Sequence, residues 1–158
     1  MKASMGCGSD PWGDVRVDIK RGSANILADI QQLPFRDQVF CDVRSISVLE
    51  HIPSWSQALM ELLRVTKKRL ILEVPVNSDI RITDPWRLLL PTKKNIKLFL
   101  SIPERARETL WHMDPEILLK IIRKNGFFYS FIEKIFQIYA GVPSRCWRIH
   151  AWRDENWM

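Results

Sequence analysis

The tightest constraint on this chain is how little room it leaves between its first apolar segments. Gly6-Cys7-Gly8 is followed by Val15-Arg16-Val17-Asp18-Ile19, and then by Ile26-Leu27-Ala28-Asp29-Ile30. The connecting residues, Ser9-Asp10-Pro11-Trp12-Gly13-Asp14 and Lys20-Arg21-Gly22-Ser23-Ala24, have turn composition and no helical period. They predict short strands joined without helices, although a parallel crossover usually takes about a dozen residues or more. The glycines carry no Cβ, so the backbone at Gly6 and Gly8 can approach a ligand closely. Asp18, closing the second strand, can accept two hydrogen bonds from a ribose diol, and Asp29 can accept one from an exocyclic amine. Together these positions read as a site for a nucleoside-containing ligand across the carboxyl ends of adjacent parallel strands.

A lone Gly-x-Gly is weak evidence; its continuation is more specific. The order Gly6-Cys7-Gly8, Val17-Asp18-Ile19, Ala28-Asp29-Ile30 with Leu33-Pro34-Phe35, and Val48-Leu49-Glu50-His51-Ile52 resembles the class I S-adenosylmethionine-dependent methyltransferases, and within them the small type 11 branch. The resemblance implies a Rossmann-like α/β fold: a seven-stranded mixed sheet with an antiparallel last strand, here trimmed of the helices between the first three strands. It implies S-adenosylmethionine as cofactor and S-adenosylhomocysteine as product. Gly6, Cys7 and Gly8 are expected to line the methionine part, Asp18 the ribose hydroxyls and Ile19 the adenine face. Asp29 would take the adenine amine and the Ile30 backbone N–H the ring. Ser4 stands where the family places Asp or Asn near the cofactor's amino group; a hydroxyl is a weaker partner for an ammonium, with Ser45 and Ser47 on the fourth strand as partial compensation. His51 is the candidate base, because an imidazole titrates near neutral pH; a structural histidine at a strand end is the alternative. Glu50 is expected to face solvent or cap backbone groups. His112 is a second candidate near the acceptor, His150 is read as structural, and Trp12 as covering the cofactor or packing in a core or dimer contact.

The rest of the chain continues the α/β alternation. Phe40 to Ser47 reads as a central fourth strand, and Ser54 with Gln57 as a capping box opening a helix. Trp55, Ala58, Leu59, Leu62 and Leu63 form its apolar stripe, with Arg64, Lys67 and Lys68 at its C-terminus. Arg69 to Pro75 is the fifth strand. Residues 77–110, broken by Pro85, Pro91 and Pro103 and rich in Lys and Arg, read as a lid over the acceptor site or as a packed helical subdomain. Asp114-Pro115-Glu116 opens a second helix with Ile117, Leu118, Ile121 and Ile122 as its apolar face, ended by Asn125-Gly126. Phe127 to Ile135 and Cys146 to Trp152 are the last two strands, joined through 140–144.

With 158 residues, 46% of them hydrophobic and 27% charged, the chain is expected to be a single domain over 1–158. Its three cysteines lack Cys-x-x-Cys spacing, so neither a disulfide framework nor a metal site is expected. No apolar run has the length of a membrane span, and a cytoplasmic protein is expected. The net charge of +6 favours an anionic partner, although no nucleic-acid motif is present. The missing crossover helices leave one face of the sheet without cover, which motivates a homodimer. The competing functions are a nicotinamide dehydrogenase, disfavoured because Asp10-Pro11-Trp12 stands where a third glycine and a helix N-terminus belong, a non-catalytic scaffold on the same fold, and a basic nucleic-acid-binding module. The methyl acceptor is open.

Overall fold

The computed structural model describes residues 1–76, 113–139 and 142–153. The expected lid at 77–110, His112 and the turn at 140–141 lie outside the described residues. Seven strands form one sheet: β1 (Lys2–Met5), β2 (Val15–Asp18), β3 (Ile26–Leu27), β4 (Phe40–Ile46), β5 (Thr66–Pro75), β6 (Tyr129–Tyr139) and β7 (Val142–Trp152). Their order is β3-β2-β1-β4-β5-β7-β6. The pairs from β3 to β5 are parallel, and β7 runs antiparallel to both its neighbours. The chain thus moves outward from β1 to β2 and β3, returns to β4 on the other side of β1, and leaves a switch point between β1 and β4.

No helix joins β1 to β2 or β2 to β3. Side chains close these connections instead. The Lys2 N–H donates to Asp14 Oδ2 at 2.9 Å, and the Asp14 N–H returns to the Lys2 carbonyl at 3.0 Å. Asn25 does the same for the next loop, accepting from the Arg16 N–H at 2.7 Å and donating to the Asp14 carbonyl at 2.9 Å. Backbone groups that a crossover helix would satisfy internally are satisfied here by short polar side chains.

The apolar core lies on one face of the sheet. Met5, Val17, Val43, Leu70, Leu72 and Ile149 project there and meet two helices, α1 (Trp55–Val65) and α2 (Pro115–Lys124). Alternate residues on the opposite face are charged and paired across strands. Arg69 Nε donates to Asp42 Oδ1 at 2.8 Å, Arg148 Nε to Glu73 Oε1 at 2.6 Å, and His150 Nε2 lies 2.8 Å from Glu133 Oε1. Asp42 faces Arg69 and Glu73 faces Arg148 in direct register, whereas His150, which faces Phe131, reaches Glu133 diagonally. Cross-strand ion pairs thus occupy positions on this face that often carry Val, Ile and Leu in parallel sheets. Exposed apolar side chains gather instead at the edges: Ile19 and Leu27 by β2 and β3, Tyr129, Phe131 and Phe136 on β6.

Several boundaries differ from the sequence reading. The fifth strand begins at Thr66, so Lys67 and Lys68 belong to β5 and only Arg64 is in the last turn of α1. Arg64 does more than complement a helix dipole. Its guanidinium donates to the carbonyls of Phe35 and Leu33 and to Asp37 and Glu61, which fastens the β3–β4 connection to α1. The same guanidinium, hydrogen-bonded to Glu61, holds that carboxyl below its usual range. Ser54 is the N-cap of α1 but makes no side-chain cap, and Gln57 Nε2 reaches the Gln31 carbonyl at 3.0 Å, so the capping box does not form. In α2 the Asp114 cap does form, accepting from the Glu116 N–H at 2.9 Å. Its buried face is Leu118, Leu119 and Ile122, while Ile117 is exposed. β6 and β7 run longer than expected, to Tyr139 and from Val142.

Candidate active site

The segments singled out in the sequence meet at the carboxyl ends of β1, β2, β3 and β4. Gly6 and Gly8 both have left-handed backbone, with φ of 72° and 54°. At Gly6 this is reinforced from above: a Cβ there would stand 2.5 Å from Val48 Cγ2. Only glycine fits this crossing of the β1 turn under the residue that follows β4. The N–H groups of Gly6 and Cys7 both donate to the Val17 carbonyl, at 2.8 and 3.0 Å, which pins the turn to the end of β2. Among the described residues a Cβ on Gly8 would meet nothing within 4 Å.

Asp18 ends β2 with its carboxylate turned back over this turn. Oδ2 accepts from the Gly8 N–H at 2.8 Å and Oδ1 from the Lys20 N–H at 3.0 Å. A carboxylate has about four acceptor positions, so two backbone bonds orient Asp18 and leave capacity for a diol. Ile19 beside it is 68% exposed, an apolar surface that the described residues leave uncovered. Gly22 closes the far wall: its φ is 137° and a Cβ would stand 2.6 Å from the Gly8 carbonyl oxygen, while the Ser23 N–H donates to that oxygen at 2.9 Å.

The remaining expected residues divide. Asp29 lies just past β3, with its carboxylate accepting from the Gln31 N–H at 2.8 Å and from Gln31 Nε2. Ile30 is buried in the core. Cys7 is buried, and burial pushes its thiol up from its ordinary pKa, so it offers backbone rather than a thiolate. Ser4 and Ser45 are both buried within their strands, and the Ser45 hydroxyl has no hydrogen-bond partner. Ser47 has a left-handed φ of 51° and donates its N–H to the Glu73 carbonyl at 3.0 Å. Trp12 is half-buried beneath Arg44, whose guanidinium carbon stands 5.6 Å from the indole centroid. Arg44 also reaches Asp10 at 3.6 Å. His150, on β7, is stacked on Phe131 and tied to Glu133, far along the sheet from the switch point.

Glu50 departs most from expectation. It lies in a single 3-10 turn, Leu49–His51, directly after β4, and is only 2% exposed. Oε2 has no hydrogen-bond partner, and Oε1 stands 3.8 Å from His51 Nε2. Burial pushes the carboxyl up to about 8. The sequence carried one signal for this: Glu50 and Leu49 precede a helix start by only a few residues, in a segment too apolar to face water.

Comparison with known proteins agrees with this geometry. Residues 6–72 match the methyltransferase domain family. No curated protein sequence matches. Solved structures that share the fold include a SAM-dependent methyltransferase of Thermotoga maritima, 15% identical with a TM-score of 0.65, covering 97% of this chain and 82% of that one. The YcgJ protein of Bacillus subtilis is 12% identical with a TM-score of 0.60, covering 98% and 92%. Magnesium protoporphyrin IX methyltransferase of Synechocystis, solved with bound SAH, is 20% identical with a TM-score of 0.55, covering 97% and 74%. The chain thus shares the fold of these methyltransferase structures, and its residues 6–72 are similar to the methyltransferase domain family.

Proposed function

We propose that this protein transfers a methyl group from S-adenosylmethionine to an acceptor bound beside the end of β4. The observation that carries the reading is the joining of the Gly6–Gly8 turn to the Asp18 carboxylate at the carboxyl side of the switch point. The residues fit the cofactor: room beside Gly8 among the described residues, remaining acceptor capacity on Asp18, and the exposed apolar Ile19. Gly6, Cys7 and Gly8 would hold its methionine part through backbone, Asp18 its ribose, and Ile19 with Asp29 and Ile30 its adenine. When bound, the cofactor supplies an electrophilic methyl on a sulfonium, so the protein has chiefly to align donor and acceptor and to accept a proton where the acceptor has one to lose. His51, on the turn after β4, takes that proton. The net charge of +6 supports an acceptor that is itself anionic.

Calorimetric titration with S-adenosylmethionine and S-adenosylhomocysteine tests the reading. Binding at micromolar or tighter Kd, about −8 kcal/mol, that weakens in Asp18→Ala is expected. Silence at millimolar ligand sinks it, and binding with no turnover on any acceptor class favours a scaffold.

A further inference from the structure

We propose that two copies of this chain join edge to edge through β6, antiparallel about a two-fold axis at Ile132, into one continuous sheet. The inference is independent of the methyl-transfer reading and starts from the two ends of the sheet. In the order β3-β2-β1-β4-β5-β7-β6, one end is β3, two residues long, and the other is β6, eleven residues long. Among the described residues no strand pairs with the outer side of β6. An unpaired edge of that length presents a row of N–H and C=O groups to any further strand.

Proteins that keep such an edge single interrupt it with proline, a bulge or a charge. β6 contains no proline, and its pairing with β7 runs residue for residue from Tyr129 with Trp152 to Tyr139 with Val142, without a bulge. Its charged residues, Glu133 and Lys134, are drawn over β7. Glu133 Oε1 lies 2.8 Å from His150 Nε2 and 3.4 Å from Arg148 Nη1, and Lys134 Nζ stands 5.0 Å from the Trp147 ring centroid. Arg123 of α2 reaches the Ser130 hydroxyl and carbonyl at 2.9 and 3.3 Å, an exposed contact near one end of the strand. The apolar side chains that the strand exposes are Tyr129, Phe131 and Phe136. Phe128, just before it, is 68% exposed, and Phe136 is 69% exposed.

The strand's own sequence supplies the complement, which is the argument for a second copy. A two-fold axis normal to the sheet pairs residues of the same pleat face, so one residue must stand opposite its own counterpart. An axis at Glu133 or at Lys134 sets like charges directly opposite, which is destabilising. An axis at Phe131 leaves Phe136 against the partner's Gly126, and one at Ile135 leaves Phe128 beyond the paired strands. An axis at Ile132 sets Glu133 against the partner's Phe131, Lys134 against the partner's Ser130 and Tyr129 against the partner's Ile135. It also sets Phe128 against the partner's Phe136, twice over by symmetry, and so covers the two most exposed phenylalanines of this edge with each other.

The test is sedimentation equilibrium of the full chain, from micromolar to millimolar concentration, in wild type and two double variants. Wild type should show a monomer–dimer equilibrium. Phe128→Lys with Phe136→Lys sets like charges across the axis and should stay monomeric over that range. Phe128→Lys with Phe136→Glu sets opposite charges at the same positions and should restore the dimer. Wild type that remains monomeric overturns the proposal without need of any variant. A dimer that survives the like-charge variant also overturns it, because the interface then lies elsewhere. Equal loss of the dimer in both variants rules out this register. Thermal unfolding checks that each variant keeps the wild-type fold. Should either fail to, Ile132→Cys decides: on oxidation it should link the two copies, since Cα atoms of facing antiparallel residues stand about 5 Å apart and a disulfide spans that distance. Wild type oxidised alongside controls for Cys41, and no added disulfide in Ile132→Cys overturns the pairing.

Discussion

The Gly8 N–H donates to Asp18 Oδ2 at 2.8 Å, so the acid that ends β2 is oriented by the glycine turn that follows β1. This bond ties together the two motifs that the proposed cofactor would span. Under the proposed function Asp18 has two duties, one within the fold and one toward the ligand.

Replacing Asp18 should reveal both. Asp18→Ala deprives the Gly8 and Lys20 N–H groups of their acceptor at a half-buried position, a cost of about 1 kcal/mol. The loss of S-adenosylhomocysteine affinity should be larger, on the order of tenfold or more, or at least ~1.4 kcal/mol. Asp18→Asn keeps an acceptor oxygen for the turn and should recover most of the stability with less of the affinity. Urea denaturation and calorimetry on the three proteins check this; equal affinities would remove Asp18 from the site.

Gly6 should not tolerate alanine. A Cβ there meets the Val48 side chain at 2.5 Å, and the backbone is left-handed. The left-handed conformation costs about 1 to 2 kcal/mol in a non-glycine residue, and overpacking adds about 1 to 3 kcal/mol. Val48→Ala on top of Gly6→Ala should return the packing part but not the backbone part. Denaturant midpoints of the single and double variants separate the two, and full rescue by Val48→Ala would show that the backbone strain is negligible.

The division between what the sequence revealed and what it concealed follows from the range of the interactions. Gly6, Gly8, Asp18 and the strand ends around them were legible because a turn, a strand and their residue types are local signals. Thr66 was concealed because the stripe of α1 runs up to Leu63 with no Gly or Pro after it, and β5 begins without a loop; Thr66 Oγ1 returns to the Leu62 carbonyl at 2.6 Å and closes the helix itself. Arg64 looked like an ordinary C-terminal cation, because its bonds to Leu33 and Phe35 cross roughly thirty positions of chain. Ile117 and Leu119 exchanged roles, since the 3.6-residue period of α2 tolerates either stripe and only the docking against the sheet selects one. Glu50 was read as facing solvent or capping backbone groups, because the apolar residues around it are only a weak local signal and the packing that buries it is not local.

The ion pairs on the face of the sheet opposite α1 and α2 should be sensitive to removal of one member. Glu73 is buried and its Oε1 is held by Arg148. Arg148→Met leaves that charge in the sheet without its partner, which typically costs about 3 to 5 kcal/mol. The double variant Glu73→Leu with Arg148→Met should regain most of it, because a well-packed apolar pair often replaces a buried ion pair without loss. Thermal unfolding of the four proteins in the cycle gives the coupling, and additive losses would mean that the two side chains do not depend on each other.

Glu50 sets a pH dependence of stability whose sign can be stated in advance. In the unfolded chain its carboxyl ionises near 4.5, and in the folded protein burial delays this to about 8. Between those values the folded state carries a proton that the unfolded state has released, so stability falls as pH rises, by about 1.4 kcal/mol per pH unit for one proton. Below the lower value both states are protonated and the penalty is absent; above the upper value both are ionised and the penalty is complete. Glu50→Gln has no such proton to lose. Its stability relative to wild type should therefore climb from pH 5 to pH 8 and then level off, with Glu50→Gln the more stable protein at the alkaline end. Urea unfolding of both proteins at half-unit steps measures the difference while cancelling the contributions of every other titrating group. A difference that stays flat across this range would mean that the Glu50 carboxyl ionises as readily in the fold as in water.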